Sequence, residues 1–363
     1  MFLALRDIRF AKGRFALMGG VVALITLLLV MLSGLTAGLG NQSTSAIAAL
    51  PADHIVFGAP AGTTPTASYT ESSVTAAQLA HWKNHDGVTN AEPLGISQTR
   101  LQAVAPGGEP AGSANVAVFG VTGDGALAPA QVAEGTVVIG AGLAKDLDLA
   151  PGRRVSVGGS SLAVAAVVPD QWYSHTAVVW TSLADWRTLS HLTDPAAVAT
   201  VLAVGTSAGT DLGAADAAAG TVSATRSGSF QALGSYRSEN ASLLLMQSFL
   251  YGISALVVAA FLTVWTVQRT RDIAVLKALG GSTPYILRDA MVQAAAVLAA
   301  GALAGGAAGA FGGLLAGKAA PFLTGPATTL LPVAGVVLLG LAASVLAVRG
   351  VTRVDPLLAL GGN

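Results

Sequence analysis

The 363-residue chain carries 19 Lys and Arg against 19 Asp and Glu, and only 10 % of its residues are charged while 53 % are hydrophobic. Soluble domains average about a quarter charged, so part of this chain needs an apolar solvent, and its zero net charge offers no global field for nucleic acid or an acidic substrate. The absence of cysteine excludes disulfides, thiolate metal sites and c-type haem attachment.

Residues 1–14 hold Arg6, Arg9, Lys12 and Arg14 and lead into a charge-free apolar run at 15–39. That run exceeds the roughly 20 residues needed to cross a bilayer. It also exceeds the roughly 7–15 residues of a signal-peptide core, so an anchor is expected rather than a cleaved leader. Residues 40–240 are of mixed polarity and predict a compact α+β domain. Within it SSVTAAQLAHWKNH predicts a helix opened by a serine cap, with Thr75, Leu79 and Trp82 on one face. LQAVA, NVAVFGV and GTVVIG predict strands, and AGLAKDLDL predicts a helix ended by Pro151-Gly152. RRVSVGGSSLAVAAVVPD predicts a hairpin turning at Gly158-Gly159. A strand and helix in AVVWTSLADWRTL are followed by another such pair in ATVLAVG and DLGAADAAAG.

Three further apolar runs at 241–267, 290–315 and 327–348 can each span a membrane. They are joined by a loop at 268–289 and a short one at 316–326, and a tail follows at 349–363. Arg269, Arg271, Lys277 and Arg288 lie in the first loop, and Arg349 and Arg353 in the tail, whereas the short opposite loop holds only Lys318. The positive-inside rule then places both termini in the cytoplasm and residues 40–240 outside. The expected fold is an α-helical membrane protein with four transmembrane helices plus an α+β extracytoplasmic domain, in the cell membrane.

Catalytic patterns are scarce. His54, His81, His85, His175 and His191 are scattered, and although His81 and His85 share a helical face, the flanking glutamate of a metalloprotease is missing, so a solvated helix end is expected there. Gly312 to Lys318, GGLLAGK, matches the phosphate-cradling G-x-x-x-x-G-K formally, but Ala319 stands where the Mg²⁺-binding hydroxyl belongs and no strand leads into it. Close helix packing by small residues is the expected role of those glycines. The chain is therefore not expected to be an enzyme, and any ATP hydrolysis falls to another polypeptide.

The loop QRTRDIAVLKALGG places Ile273, Leu276 and Leu279 near one helical face before Gly280-Gly281, a short amphipathic helix suited to dock a soluble partner or to lie on the membrane surface. One span, a large outside domain, three more spans and this RTRDIAVLKALG loop resemble the MacB/FtsX class of ABC-transporter permeases along the whole chain. Four stretches resemble more narrowly the haem-regulated transporter permeases (HrtB-like): SGLTAGLG at 33–40, SYRSENASLLLM at 235–246, DIAVLKALG at 272–280 and VDPLLALGG at 354–362. The outside domain cannot be matched residue by residue. The resemblance implies a permease homodimer in membrane lipid, docked on a separate cytoplasmic ATPase that binds ATP, through Asp272, Ile273, Leu276, Lys277, Leu279 and Gly280. It also implies haem as transported substrate, with no intrinsic cofactor and no nucleic acid.

Haem needs an iron ligand, and with no cysteine in the chain and no histidine in a span, methionine and tyrosine remain. Tyr236, Glu239 and Met246 fall within one quadrant of a helix running into the second span, with Tyr251 well off that stripe. Met31, Gly34 and Gly38 share a face of the first span, where Gly34 and Gly38 have the spacing that lets two helices approach. A haem site is expected from Met31 and Met246 as iron ligands, with Tyr236 and Glu239 nearby and Arg237 pairing a propionate. Against this stands methionine as ordinary apolar filler. The same class also includes movers of lipids, peptides or lipoproteins, and relays of ATPase motion to an outside partner.

Overall fold

The computed structural model describes residues 12–59, 62–105, 107–190, 196–268 and 283–351. They divide into two compact units, Gly40–Glu239 and a second built from residues up to Leu39 together with those from Asn240 onward. The first helix, α1 (Lys12–Ala48), runs through the first boundary.

The domain unit follows with β1 (His54–Phe57), β2 (Val74–Thr75), α2 (Ala76–Lys83), β3 (Val88–Val104), β4 (Pro110–Val121), β5 (Thr136–Gly140), α3 (Ala141–Asp146), β6 (Arg154–Val157) and β7 (Ser160–Val168). It continues with β8 (Trp172–Tyr173), β9 (Thr176–Ser182), α4 (Leu183–Leu189), β10 (Ala197–Ala199), β11 (Val201–Thr206), α5 (Leu212–Ala219), β12 (Val222–Thr225) and a 3₁₀ turn, Gly228–Ala232. The main sheet runs β12-β1-β11-β3-β4-β9-β5-β7-β6, and an extra β3–β6 pairing closes its second half on itself. The long β3 makes this possible, because its early residues pair β11 while Leu101–Ala103 pair β6.

Alternation along the strands separates two cores, since strand side chains change face at every residue. Val116 and Val118 of β4 join Leu101, Val155 and Trp186 in one cluster, while Ala117 and Phe119 join Phe57, Tyr69, Tyr173 and Trp180 in the other. The second cluster is aromatic, with ring centroids 5.0 Å apart for Phe57–Tyr69, 5.8 Å for Tyr69–Tyr173 and 5.5 Å for Phe119–Tyr173. Ala46 and Ile47 at the end of α1 are buried in it. A third cluster around Trp82 lies under α2 and α5.

The Gly158-Gly159 hairpin forms, and both glycines take the positive φ that its tight turn requires. Three local expectations are corrected. The cap of α2 is Thr75, not a serine, because Thr75 and Gln78 satisfy each other's backbone as a capping box. The helix after β5 ends at Asp146, well before Pro151, because Leu147 already leaves helical geometry. His81 is no solvated helix end, since its Nε2 is buried without a hydrogen-bond partner and its ring faces His85 at 6.0 Å. Among the described residues no group of three metal-binding side chains occurs.

Beyond the domain come α6 (Gly234–Gln268), α7 (Thr283–Ala316) and α8 (Pro326–Val351). With α1 they are four helices long and apolar enough to cross a membrane. Their shared core takes Phe15, Val22 and Leu29 from α1, Val258 and Leu262 from α6, Leu298 and Ala302 from α7, and Val336 from α8. Arg14 donates to the Gln268 side chain at 2.6 Å, and Gln247 to Thr36 at 3.2 Å, so α1 and α6 run antiparallel.

Helices α1 and α7 meet through glycine. A Cβ on Gly301 would stand 2.7 Å from the Gly19 carbonyl oxygen, one on Gly305 would collide with that of Ala23, and one on Gly309 would crowd Val30. In lipid, where apolar side chains gain nothing by leaving the solvent, such backbone approach is what holds helices together. The G-x-x-x-x-G-K match lies at the end of α7, where the N–H groups of Gly317, Lys318 and Ala319 already bond carbonyls of the preceding turn. Those backbone N–H groups are therefore not available to cradle a phosphate. The Gly34/Gly38 face, expected to receive a second helix, instead receives the chain's own Pro321-Phe322 segment, and the Leu323 N–H bonds the Gly34 carbonyl at 3.1 Å.

Two predictions follow from this packing. Gly305→Ala is expected to lower stability by about 1–3 kcal/mol through overpacking, seen as a lower thermal midpoint in detergent, whereas Gly252→Ala, with open space around it, is neutral or slightly stabilising. Equal midpoints would contradict the α1–α7 contact. Burial pushes the Tyr69 phenol well above its usual range, the Ser229 bond opposing it weakly, and burial likewise raises Tyr173, with Tyr69 adding to it. The folded domain thus favours the neutral phenols, so their contribution is complete below about pH 10 and is lost as pH rises beyond it. Their phenolate absorbance is expected to appear only together with loss of near-ultraviolet circular dichroism. Reversible ionisation near pH 10 in folded protein that is lost in Tyr69→Phe or Tyr173→Phe would contradict that burial.

Candidate functional site

A polar cluster of the domain unit gathers around the first turns of α6. Leu233 is buried ahead of the helix, and the Arg237 N–H bonds its carbonyl at 3.0 Å. Tyr236 packs edge-on against Phe230 at 6.0 Å and rests on the aromatic core. Arg237 is exposed and Glu239 is half-buried. From Asn240 onward the helix belongs to the bundle.

Facing Glu239 is the turn between β8 and β9. Tyr173 is anchored in the aromatic core, and the next two residues, Ser174 and His175, take φ of 47° and 63°. A two-residue hairpin turn with both φ positive matches strand twist but is normally filled by Asn-Gly. Non-glycine residues in this region are strained by about 1–3 kcal/mol each and persist only where surrounding structure holds them. Here α1 does so: the Ser174 and His175 N–H groups bond the carbonyls of Ser43 and Gln42, both at 3.0 Å, and the Trp172 N–H bonds the Ser45 hydroxyl at 2.9 Å.

The turn thereby points the His175 imidazole at Glu239. Its Nε2 lies 3.0 Å from each carboxylate oxygen and 3.0 Å from the Ser43 hydroxyl. The Ser174 and Ser235 hydroxyls meet at 3.1 Å beside it. When the imidazole is protonated the contact is an ion pair, and when neutral it is a hydrogen bond. Either form solvates a carboxylate at the head of an apolar helix, where an unpartnered charge is expensive.

Tyr236, Arg237 and Glu239 all lie in the domain unit, and of the three it is Glu239 that His175 contacts, with Ser43 on the same ring nitrogen. Nothing in the histidine spacing singled out His175. The only trace was a two-residue gap between Trp172-Tyr173 and TAVVW, and Ser-His is a poor turn signal. Met31 and Met246 lie in the bundle unit. The Met31 sulfur is 3.3 Å from where a Cβ on Gly312 would stand, so this methionine is turned toward α7. Met246 is 53 % exposed on α6 and lies in an outward apolar stripe with Phe249, Ile253 and Leu256. Tyr251, expected off the stripe, packs against Gly335 of α8. The expected ATPase-docking residues, Asp272 to Gly280, lie outside the described residues.

Residues 15–222 match the MacB-like periplasmic core domain, and residues 245–356 match the FtsX-like permease C-terminal domain. Proteins carrying the name hemin transport system permease protein HrtB are 25 % identical over 131 residues in Staphylococcus epidermidis and 26 % over 130 in Staphylococcus haemolyticus. Each alignment covers 36 % of this chain and only 37 % of the relative. Among solved structures, the periplasmic region of MacB from Actinobacillus actinomycetemcomitans aligns at 11 % identity and TM-score 0.34, over 49 % of this chain and 90 % of that one. The extracellular domain of the noncanonic ABC-type transporter YknZ from Gram-positive bacteria aligns at 15 % and 0.34, over 48 % and 99 %. With more than half its length matched by one family model, the chain belongs to the MacB-like periplasmic core domain family and is a permease of the MacB/FtsX class of ABC transporters.

Proposed function

We propose that the chain is the permease of an efflux pump that exports haem from the cell membrane, as a homodimer driven by ATP hydrolysed in a separate cytoplasmic subunit. Class membership supports the ATPase partner, and the hemin transport relatives support the cargo. Arg14 and Gln268 meet at one end of the bundle, which supports a common side for the N-terminus and the 268–289 loop, the cytoplasmic one by its basic residues. The exposed stripe of Met246, Phe249, Ile253 and Leu256 suits a second copy or an apolar cargo.

The observation that carries the haem reading is Glu239, a carboxylate held at the head of an apolar helix. Haem is an apolar ring with a cationic iron, so it partitions into lipid while its iron seeks an anionic or soft donor. In the domain unit Glu239 supplies such a donor, Arg237 a partner for a propionate and Tyr236 an aromatic wall; in the bundle unit the proposed soft donors are the thioethers of Met31 and Met246. ATP-driven closure of two subunits would then expel the ring.

Hemin titrated into the purified permease should give a Soret band. Glu239→Ala should abolish saturable binding, Met31→Ala with Met246→Ala should shift the band, and both variants should lower haem tolerance of cells carrying the permease and its ATPase. No Soret band at saturating hemin would move the assignment to lipid or peptide cargo, or to relay of ATPase motion to an outside partner.

A further inference from the structure

His175 has no role in the site as the sequence presents it, yet its Nε2 reaches three oxygens at 3.0 Å: both of Glu239 and that of Ser43. A ring nitrogen offers either one proton or one lone pair. Facing a carboxylate, which only accepts, Nε2 must carry the proton. It therefore donates to Glu239, and Ser43 is a third oxygen beside the same N–H. Ser43 is fully buried and the imidazole is 31 % exposed, so this edge of the ring is fixed against the domain.

A carboxylate has about four lone-pair sites on its two oxygens, and one N–H cannot occupy them all. Glu239, 38 % exposed, keeps a free side on which an incoming iron can bind one oxygen while the other stays on His175. Partners behind a metal-binding group set its orientation and donor strength. The strained Ser174-His175 turn, held by two backbone bonds from α1, is spent on placing this one ring.

We infer that His175, backed by Ser43, is the positioning residue that presents the Glu239 carboxylate to the iron of the cargo. The inference rests on the haem reading above. It does not make His175 an iron ligand: Nε2 and the carboxylate are too close together to take the two opposite faces of one haem.

The test is hemin titration of the intact permease in detergent, comparing wild type with His175→Ala, His175→Gln and Ser43→Ala. Loss of the imidazole should weaken hemin binding about 10- to 100-fold, the range for removing such a partner, and shift the Soret maximum. Gln, which can donate an N–H from a similar reach, should restore part of both, and Ser43→Ala should have a smaller effect in the same direction. Thermal midpoints read alongside separate this from unfolding. Wild-type binding with an unchanged affinity and spectrum in His175→Ala would overturn the inference and leave the haem reading standing. So would a weakened His175→Ala with an unshifted Soret band and no rescue by Gln, which marks a merely structural role. Absence of hemin binding by the wild type would remove the haem reading itself.

Discussion

Glu239 is the last residue of its domain unit, on the helix that carries the second apolar span. A carboxylate at that junction is only partly open to water, and a proton donor from the protein covers its inner side. The fold supplies one by an indirect route. An aromatic core fixes Tyr173, α1 offers backbone carbonyls to a turn that is otherwise strained, and the turn delivers an imidazole to the carboxylate. Hairpin, α1 and the start of α6 are thus tied together by one small polar cluster.

The bundle unit obeys a different constraint. Lipid gives side chains no reason to associate, so contact depends on how closely backbones approach. The glycines at 301, 305 and 309 of α7 provide that approach to α1, and Gly34 and Gly38 provide it to the Pro321-Phe322 segment. One sequence feature, small residues at helical spacing, therefore explains both a motif that resembles a nucleotide loop and a motif that resembles a dimer seam. In each case the space is filled from within the chain.

Legibility followed the range of the interactions. The four apolar helices could be read because a run of some 20 apolar residues has few soluble alternatives. The Gly158-Gly159 hairpin and the helix at Leu212–Ala219 could be read because turn and cap residues act locally. The need of Glu239 for a partner was legible in its position, but the partner was not. His175 is 64 residues away in sequence, and its turn uses Ser-His where Asn-Gly would have announced it. That the face of Met31 meets α7 was illegible for the same reason, since helical periodicity says which residues share a face but not what that face meets.

In the proposed function Glu239 is the carboxylate that receives the cargo while His175 holds it from behind. A cryo-electron microscopy structure of the hemin-loaded permease tests this most directly. Iron is expected within bonding distance of one Glu239 oxygen, with the other oxygen still hydrogen-bonded to His175 Nε2. A bound ring with both Glu239 oxygens on His175 and none on the iron would contradict it.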